Sequence, residues 1–149
     1  MEEIIRLQRT TVDEHVGQEN AHNWPAVYET FAPHESSIDV VPFHTQFGGL
    51  NGIRDFYQAV DAAFPDFKAT VWGEYDTPGC SIREITVEGT PKGEWCGVAA
   101  TGRRVKVHFL SRQTESGALS NGCGAGGKRK TFLVYRHQQI FRGSRCDCG

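Results

Sequence analysis

The chain has 149 residues, of which 38% are hydrophobic and 23% are charged, and its formal net charge is −2. These values are typical of one globular domain and exclude the miniprotein classes that need a disulfide or a metal to fold. No segment reaches the roughly 18 consecutive apolar residues of a membrane span, and the acidic N-terminus is unlike a secretory signal, so we expect a cytoplasmic protein with no membrane partner.

The charge is distributed unevenly along the chain. Residues 1–100 contain 16 of the 18 acidic residues but 6 of the 16 Lys and Arg residues, so the remaining segment is strongly basic. A basic arm can bind nucleic acid, but no nucleic-acid-binding motif accompanies this one. We therefore favour a solvated basic surface that faces an acidic body over a nucleic-acid partner.

Three helices are predicted in the first half of the chain. Apolar residues at helical spacing predict the first over Glu3–Gln18, with His15 beside its apolar stripe. Asn23 is a favourable N-cap and precedes Pro25, which indicates a second, shorter helix that ends near Pro33. The third helix follows Gly48-Gly49 and has the clearest periodicity, carried by Ile53, Phe56, Tyr57, Val60 and Phe64.

Strand patterns dominate the second half. A first strand is predicted earlier, over Ile38–Val41, where Pro42 ends it. Later strands are predicted over Lys68–Tyr75, Ser81–Gly89, Arg103–Leu110 and Thr131–Tyr135, the last of them after a glycine-rich loop or disordered segment at Ser116–Gly127. Helices followed by an antiparallel sheet predict the α+β fold class.

Several short motifs occur in one order along the chain. They are Ala21-His22-Asn23-Trp24, Val41-Pro42, Gly49-x-x-Gly52-Ile53-Arg54-x-Phe56-Tyr57, Phe64-Pro65-Asp66, Gly89-Thr90-x-x-Gly93 and Ala100-Thr101-Gly102-Arg103-Arg104-Val105. Each motif alone has little specificity, but the ordered set resembles the SnoaL-like polyketide cyclase family of the nuclear-transport-factor-two-like superfamily, over about residues 3–110.

This resemblance implies a cone-shaped, cystatin-like fold in which three N-terminal helices pack on a curved antiparallel sheet. It also implies a ligand pocket between them and, in many members, a homodimer formed through the other face of the sheet. We divide the chain into a SnoaL-like domain over residues 1–110 and an atypical basic tail over residues 111–149. The tail departs from the family pattern, and one hypothesis is an altered reading frame near residue 110, which the coding nucleotides would test.

Relatives in this superfamily carry out aldol cyclisation, steroid isomerisation or epoxide hydrolysis. The first two reactions need a base that removes a proton beside a carbonyl and a donor that stabilises the enolate. By resemblance, the isomerase base falls on Val41 and the usual acid falls near Ser111, so neither is present. Arg83 matches the arginine of the epoxide hydrolases, but Ile85 replaces the adjoining aspartate. We therefore expect no exact copy of these mechanisms.

Three residues are candidates to replace the missing catalytic groups. Asp39 shares a predicted strand face with Val41, so its carboxylate is the candidate base, although a solvated strand-end acid is the alternative. His15 lies near the position of an isomerase tyrosine and is a candidate donor or base, or else a core histidine. Arg83 is predicted to point inward with Ile85 and orient the ligand, or else to pair with an acid at the sheet surface.

Aromatic residues are contributed by every element that would line the cone. They suit a planar hydrophobic ligand, although most of them could equally form the core. The candidate pocket residues are Trp24, Tyr28, Val41, Phe43, Phe56, Tyr57, Trp72 and Trp95.

No cofactor and no metal are expected. The histidines lack ligand spacing, and neither a dinucleotide fingerprint nor a phosphate loop occurs. Five cysteines without a C-x-x-C pair indicate reduced thiols.

The leading hypothesis is a SnoaL-like enzyme that performs metal-free acid–base cyclisation or isomerisation of a hydrophobic carbonyl compound such as a polyketide. The alternatives are a non-catalytic binder of a hydrophobic small molecule and an epoxide-hydrolase-like enzyme.

Overall fold

A computed structural model describes residues 1–31, 36–114 and 134–136, the last three as backbone. These described residues contain three α-helices, one short 3-10 helix and six β-strands. In chain order they are α1 (Glu2–Asn20), α2 (Trp24–Glu29), β1 (Ser37–Val40), the 3-10 helix (Val41–Phe43), β2 (Thr45–Gly48), α3 (Gly49–Ala63), β3 (Lys68–Thr77), β4 (Cys80–Gly89), β5 (Val105–Thr114) and β6 (Val134–Arg136).

The six strands form one sheet in the order β2-β1-β6-β5-β4-β3. Strand β6 runs parallel to β1, whereas the other neighbours are antiparallel. Strands β3, β4 and β5 are each ten residues long and form the main surface. The register of β3 shifts between Val71 and Gly73, where Trp72 is the extra residue of a β-bulge.

The helices cover one face of this sheet. Helix α3 buries Ile53, Phe56, Tyr57, Val60 and Ala63, which confirms its predicted apolar stripe up to the helix end. These side chains pack with residues of α2 and β1 in the main hydrophobic cluster, while Val16 of α1 meets β3 and β4 in a second one. The predicted α+β arrangement of helices on a mainly antiparallel sheet is therefore confirmed.

Several boundaries differ from the predictions. Helix α2 ends at Glu29, before the predicted Pro33, which lies outside the described residues. Strand β1 ends at Val40, because the chain turns into the 3-10 helix at Pro42. Strand β2 was not predicted, since its four residues carry too short a pattern. The loop at Ser116–Gly127 lies outside the described residues, and β6 overlaps the predicted last strand.

The motifs that carry the family resemblance contact one another. The Asp66 carboxylate accepts hydrogen bonds from the Thr90 backbone N–H at 2.6 Å and from the Thr90 hydroxyl at 2.7 Å. These bonds lower the pKa of Asp66, the backbone N–H most strongly. A Cβ on Gly89 would lie 3.1 Å from the Phe64 ring, and one on Gly52 would lie 2.8 Å from the Phe47 backbone. The spaced glycines therefore permit close packing that a larger residue would obstruct.

Strand β5 continues four residues past Leu110, the predicted domain boundary, and β6 pairs with both β1 and β5.

Of the cysteines, Cys80 and Cys96 are free thiols, and Cys123, Cys146 and Cys148 lie outside the described residues. Among the described helices, none is long and apolar enough to cross a membrane.

The packing of α3 predicts a large difference between two isoleucine truncations. Ile53 is fully buried, whereas Ile4 on α1 is 48% exposed. We expect Ile53→Ala to lower the free energy of unfolding by about 3 kcal/mol, because the cavity adds to the lost burial. We expect Ile4→Ala to change it by less than about 0.5 kcal/mol. Urea unfolding of both variants measures the difference, and equal effects would contradict this packing of α3.

Candidate functional site

A pocket of about 380 Å³ lies between α3 and the inner face of the sheet. Its volume is within the range of small-molecule sites, roughly 300–1,000 Å³. Every residue that lines it is apolar or glycine: Val40, Pro42, Phe43, Phe56, Val60, Phe64, Phe67, Val87, Gly89, Trp95, Val105, Val107 and Phe109. The pocket therefore suits a hydrophobic ligand.

The same face of β4 and β5 becomes polar beyond the pocket. Along the two strands, the opposed pairs are Val87 with Val107, Ile85 with Phe109, Arg83 with Ser111, and Ser81 with Gln113. Side chains two residues apart share a face and are about 6.5 Å apart along the strand. The Arg83–Ser111 pair is therefore one layer beyond Phe109, which lines the pocket.

Arg83 is completely buried in this polar layer. Its Nη1 donates to the Asp76 carboxylate at 2.7 Å and to the Ile82 carbonyl at 3.0 Å. Within the described part of the chain, its Nε and Nη2 have no hydrogen-bond partner, and neither does the Ser111 hydroxyl. The Nε–H and one Nη2–H lie side by side on one edge of the guanidinium, the geometry that binds two oxygens at once.

Asp76 holds the other edge of Arg83. Its second carboxylate oxygen accepts from Arg9 Nε of α1 at 3.0 Å, so the buried acid is shared by two arginines. Burial alone would raise the pKa of Asp76, but the hydrogen bonds from Arg83, Ser81 and Arg9, together with the charge of Arg83, outweigh it and leave the pKa below its ordinary value. The pair is therefore ionised at neutral pH and fixes the guanidinium in place.

A second buried polar cluster joins the three helices. His15 Nδ1 lies 2.6 Å from the Thr30 hydroxyl oxygen, and its Nε2 lies 3.1 Å from both the Tyr57 hydroxyl oxygen and Glu19 Oε1. The Tyr57 hydroxyl donates to Glu19 Oε1 at 2.7 Å. All four residues are buried. The cluster fixes α1 against α2 and α3 and does not line the pocket.

The model of the SnoaL-like polyketide cyclase family matches residues 7–112, which is more than half of the chain. The chain belongs to this family. No curated protein sequence matches it at a significant level.

Solved structures resemble the fold of this family member. IdmH of Streptomyces antibioticus, provisionally assigned as a polyketide cyclase, is 20% identical with a TM-score of 0.63, over 87% of this chain and 90% of IdmH. A Catenulispora acidiphila protein with a ketosteroid isomerase-like fold is 14% identical with a TM-score of 0.65, over 85% and 84%. SalBIII, an epoxide hydrolase/cyclase-like enzyme of pyran ring formation in salinomycin, is 15% identical with a TM-score of 0.66, over 88% and 92%. These likenesses establish the fold of this SnoaL-like chain.

The structure separates the three candidate catalytic residues. Arg83 faces inward as expected, on the same side of β4 as Ile85. His15 is buried among the helices. The expectation that Asp39 looks into the pocket is wrong: Ile38 and Val40 are buried on the inner face of β1, and Asp39 lies on the other. Strand alternation does not place Asp39 and Val41 on one face, because the strand ends at Val40.

The predicted pocket residues divide into three groups. Phe43, Phe56 and Trp95 line the pocket. The other five residues do not line it, so their predicted placement in the pocket is wrong. Trp24, Tyr28 and Tyr57 pack in the main hydrophobic cluster, since Tyr57 is surrounded by rings of α2. Val41 is 41% exposed on the 3-10 helix, and Trp72 is 62% exposed on the outer face of the sheet, where the bulge places it.

The hydrogen-bond partners of Arg83 and His15 were not predicted from the sequence. Asp76 opposes Ser81 across the β3–β4 hairpin, and the turn residues Pro78-Gly79 between these strands could have given that register. Glu19 follows His15 by four residues, so both lie on one helix face. The described residues contain no group of side chains suited to hold a metal ion.

The shared carboxylate of Asp76 predicts a large effect at neutral pH. Asp76→Asn removes the charge that pairs with fully buried Arg83, so we expect it to lower the free energy of unfolding by about 3 kcal/mol. The matched variant is Glu74→Gln, because Glu74 is an exposed partner of Arg9 at 3.7 Å, and we expect a change below about 0.5 kcal/mol.

The same pair predicts the direction of the pH dependence. Because the folded-state pKa of Asp76 is lowered, its contribution is present above the unfolded pKa of about 3.9 and is lost as the pH falls through the folded value. The difference in unfolding free energy between wild type and Asp76→Asn should therefore shrink below about pH 4. Urea unfolding between pH 3 and 7 measures it, and a pH-independent difference would contradict the assignment.

Proposed function

We propose that this SnoaL-like chain binds a hydrophobic carbonyl compound, of polyketide type, in the apolar pocket and promotes its enolisation for cyclisation or isomerisation. The observation that carries the proposal is the juxtaposition of a wholly apolar pocket with Arg83, one strand layer further along the same sheet face. Arg83 is completely buried and does not line the pocket, so a ligand whose apolar body fills the pocket would reach the guanidinium only after a side chain such as Phe109 moves aside.

The free edge of Arg83 suggests the chemical class of those oxygens. Two parallel N–H donors match a pair of oxygens on one ligand, as in a carboxylate or a β-dicarbonyl. Transfer of a proton from the carbon between two carbonyls to a water molecule gives an enolate whose charge is spread over both oxygens, and a buried guanidinium stabilises such charge strongly. Because Asp76 already holds the other edge, the guanidinium would not need to reorganise during the reaction. Arg83 is thus the proposed enolate-stabilising residue.

A non-catalytic binder is the second candidate function, and one observation favours it. None of the side chains that line the described pocket is titratable, so none of them can act as a base. Asp39 faces away from the pocket, and His15 lies among the helices, so neither is assigned a contact with ligand. The two candidates differ in whether the protein accelerates proton removal from a bound ketone.

The first test compares affinities for benzoylacetone, a β-diketone, and butyrophenone, a related monoketone. We expect wild type to prefer the diketone by about tenfold or more, as for a charged pair of hydrogen bonds. Arg83→Lys keeps a charge beside Asp76 but lacks the two-donor edge, so the preference should disappear while butyrophenone affinity is unchanged. Asp39→Asn is the control and should match wild type. Calorimetry measures the affinities, and a preference retained in Arg83→Lys would contradict the assignment.

The same variants distinguish an enzyme from a binder. If the chain is an enzyme, wild type accelerates deuterium exchange at the central carbon of bound benzoylacetone, and Arg83→Lys reduces the acceleration by about a hundredfold, a typical loss for one oxyanion donor. Proton NMR follows the exchange. Binding without acceleration by wild type would overturn the enzymatic proposal and support the binder.

We also propose a homodimer formed through the outer face of the sheet, as the family resemblance implies. Trp72, Tyr75 and Leu110 are exposed large side chains on β3 and β5, at positions that alternate with the inner face. Exposed aromatic and aliphatic side chains on one sheet face are typical of protein interfaces. This support is independent of the pocket.

The dimer proposal predicts that a charge on this face dissociates the protein. Leu110→Glu should shift it to monomer, because burying an unpaired carboxylate in an apolar interface is costly. Leu7→Glu is the matched control, since Leu7 is exposed on α1 at 53% and lies away from the outer sheet face. Sedimentation velocity measures the assembly state, and a monomeric wild type or a dimeric Leu110→Glu would contradict the proposal.

A further inference from the structure

Two opposed side chains beyond the apolar pocket carry polar atoms without partners. Arg83 and Ser111 are paired across β4 and β5, and the exposed fraction of each is 0%. Within the described part of the chain, Arg83 Nε, Arg83 Nη2 and the Ser111 hydroxyl have no hydrogen-bond partner. Such groups are rare in folded proteins, because burying a donor without an acceptor is costly, above all on a charged group.

The Arg83–Ser111 layer is closed to solvent. A side chain with no exposed surface touches no solvent, so an acceptor cannot reach either residue while the surrounding side chains stay in place. An oxygen reaches the free edge of the guanidinium only if a neighbouring side chain moves. Opening the layer to an acceptor would therefore offset the cost of the unpaired donors.

Ile85 and Phe109 separate the Arg83–Ser111 layer from the pocket, because they are the next opposed pair along the same face. Ile85 is buried and packs with Val16 of α1 in the second hydrophobic cluster, and it does not line the pocket. Phe109 is partly buried and lines the pocket, so its ring borders open space. A change of side-chain rotamer can therefore move the Phe109 ring into that space, whereas Ile85 stays packed against α1.

We infer that Phe109 is a gate between the apolar pocket and the Arg83–Ser111 layer. With the ring as observed, the layer is closed and the pocket is lined by apolar residues and glycine alone. With the ring turned into the pocket, the head of a ligand can accept hydrogen bonds from Arg83 and Ser111. The inference rests on the proposed function for the class of ligand, a hydrophobic compound with paired carbonyl oxygens, but not for the reaction.

The gate makes Phe109 a specificity-determining residue. Opening it moves the ring from its packed position, a cost that hydrogen bonds to the head of the ligand must offset. A β-diketone can accept from both free nitrogens of Arg83, whereas a monoketone has one oxygen. We therefore expect a diketone to open the gate and a monoketone to bind with the gate closed.

The direct test is solvent exchange of the Arg83 Nε hydrogen, followed by NMR of the ligand-free protein. The resonance is assigned by its loss in Arg83→Lys. Phe109→Ala removes the ring, so this hydrogen should exchange about tenfold faster or more than in wild type, because exchange follows local opening. Val107→Ala widens the pocket but keeps the gate, so its exchange rate should stay within about threefold of wild type.

Ile53→Ala is the control for global unfolding, because Ile53 is buried in α3 and does not line the pocket. If the Arg83 hydrogen exchanged only through global unfolding, this variant would accelerate exchange as much as Phe109→Ala does, and that outcome would overturn the gate. Equal exchange in wild type and Phe109→Ala would overturn it as well. If Phe109→Ala does not fold, Phe109→Leu provides a shorter side chain for the same comparison.

Ligand titration gives a second readout in the same spectra. In wild type, benzoylacetone should shift the Arg83 Nε–H resonance, whereas butyrophenone should bind without shifting it. In Phe109→Ala both ligands should shift it, because no ring separates them from the guanidinium. A butyrophenone shift in wild type would contradict the gate. Neither experiment detects proton removal, so an absence of deuterium exchange in bound benzoylacetone would overturn the enzymatic proposal and leave the gate intact.

Discussion

Burial of charge beneath helix α1 is the constraint on which the arrangement of this protein depends. A helix that packed only apolar side chains would be free to shift along the sheet, but α1 covers the Asp76–Arg83 pair and carries His15 and Glu19 into the interior. Removing such groups from water costs several kcal/mol unless each finds a partner of the right geometry. Arg9, Asp76 and Arg83 must therefore stay in register, and that requirement positions α1 on β3 and β4.

The same constraint divides the interior into two parts. Between α3 and the sheet, where no charge has to be paired, an apolar pocket remains open. Further along the inner face of β4 and β5 are polar side chains, of which Arg83 pairs with Asp76 while the Ser111 hydroxyl has no partner in the described part of the chain. The transition occurs between the Ile85–Phe109 and Arg83–Ser111 layers of a continuous two-strand ladder. Strand alternation places Val87, Ile85 and Arg83 on one face, so the apolar layers and the buried guanidinium follow one another along the ladder.

Local patterns predicted more of the fold than of the site. The apolar stripe on α3 and the inward orientation of Arg83 depend on the periodicity of side chains within one helix or strand, and both are confirmed. The prediction for Asp39 is wrong because it extends strand alternation to Val41, where the backbone has already left the strand conformation. Asp76 was not predicted, because its contact with Arg83 depends on the register of the β3–β4 hairpin. Thr30 and Tyr57 were not predicted, because they contact His15 only when the helices are packed together. Such contacts follow from tertiary packing, which single-segment periodicity does not contain.

The two buried clusters attach α1 to different parts of the fold. Asp76 has a lowered pKa, so its pairing with Arg83 stabilises the fold until acid protonates it. One cluster joins α1 to the sheet, and the other joins α1 to α2 and α3. Neither cluster lines the pocket, but Arg83, which the ligand is proposed to contact, belongs to the first of them. Acid that protonates Asp76 would therefore release the guanidinium that the ligand is proposed to contact, which couples the attachment of α1 to the geometry of the site.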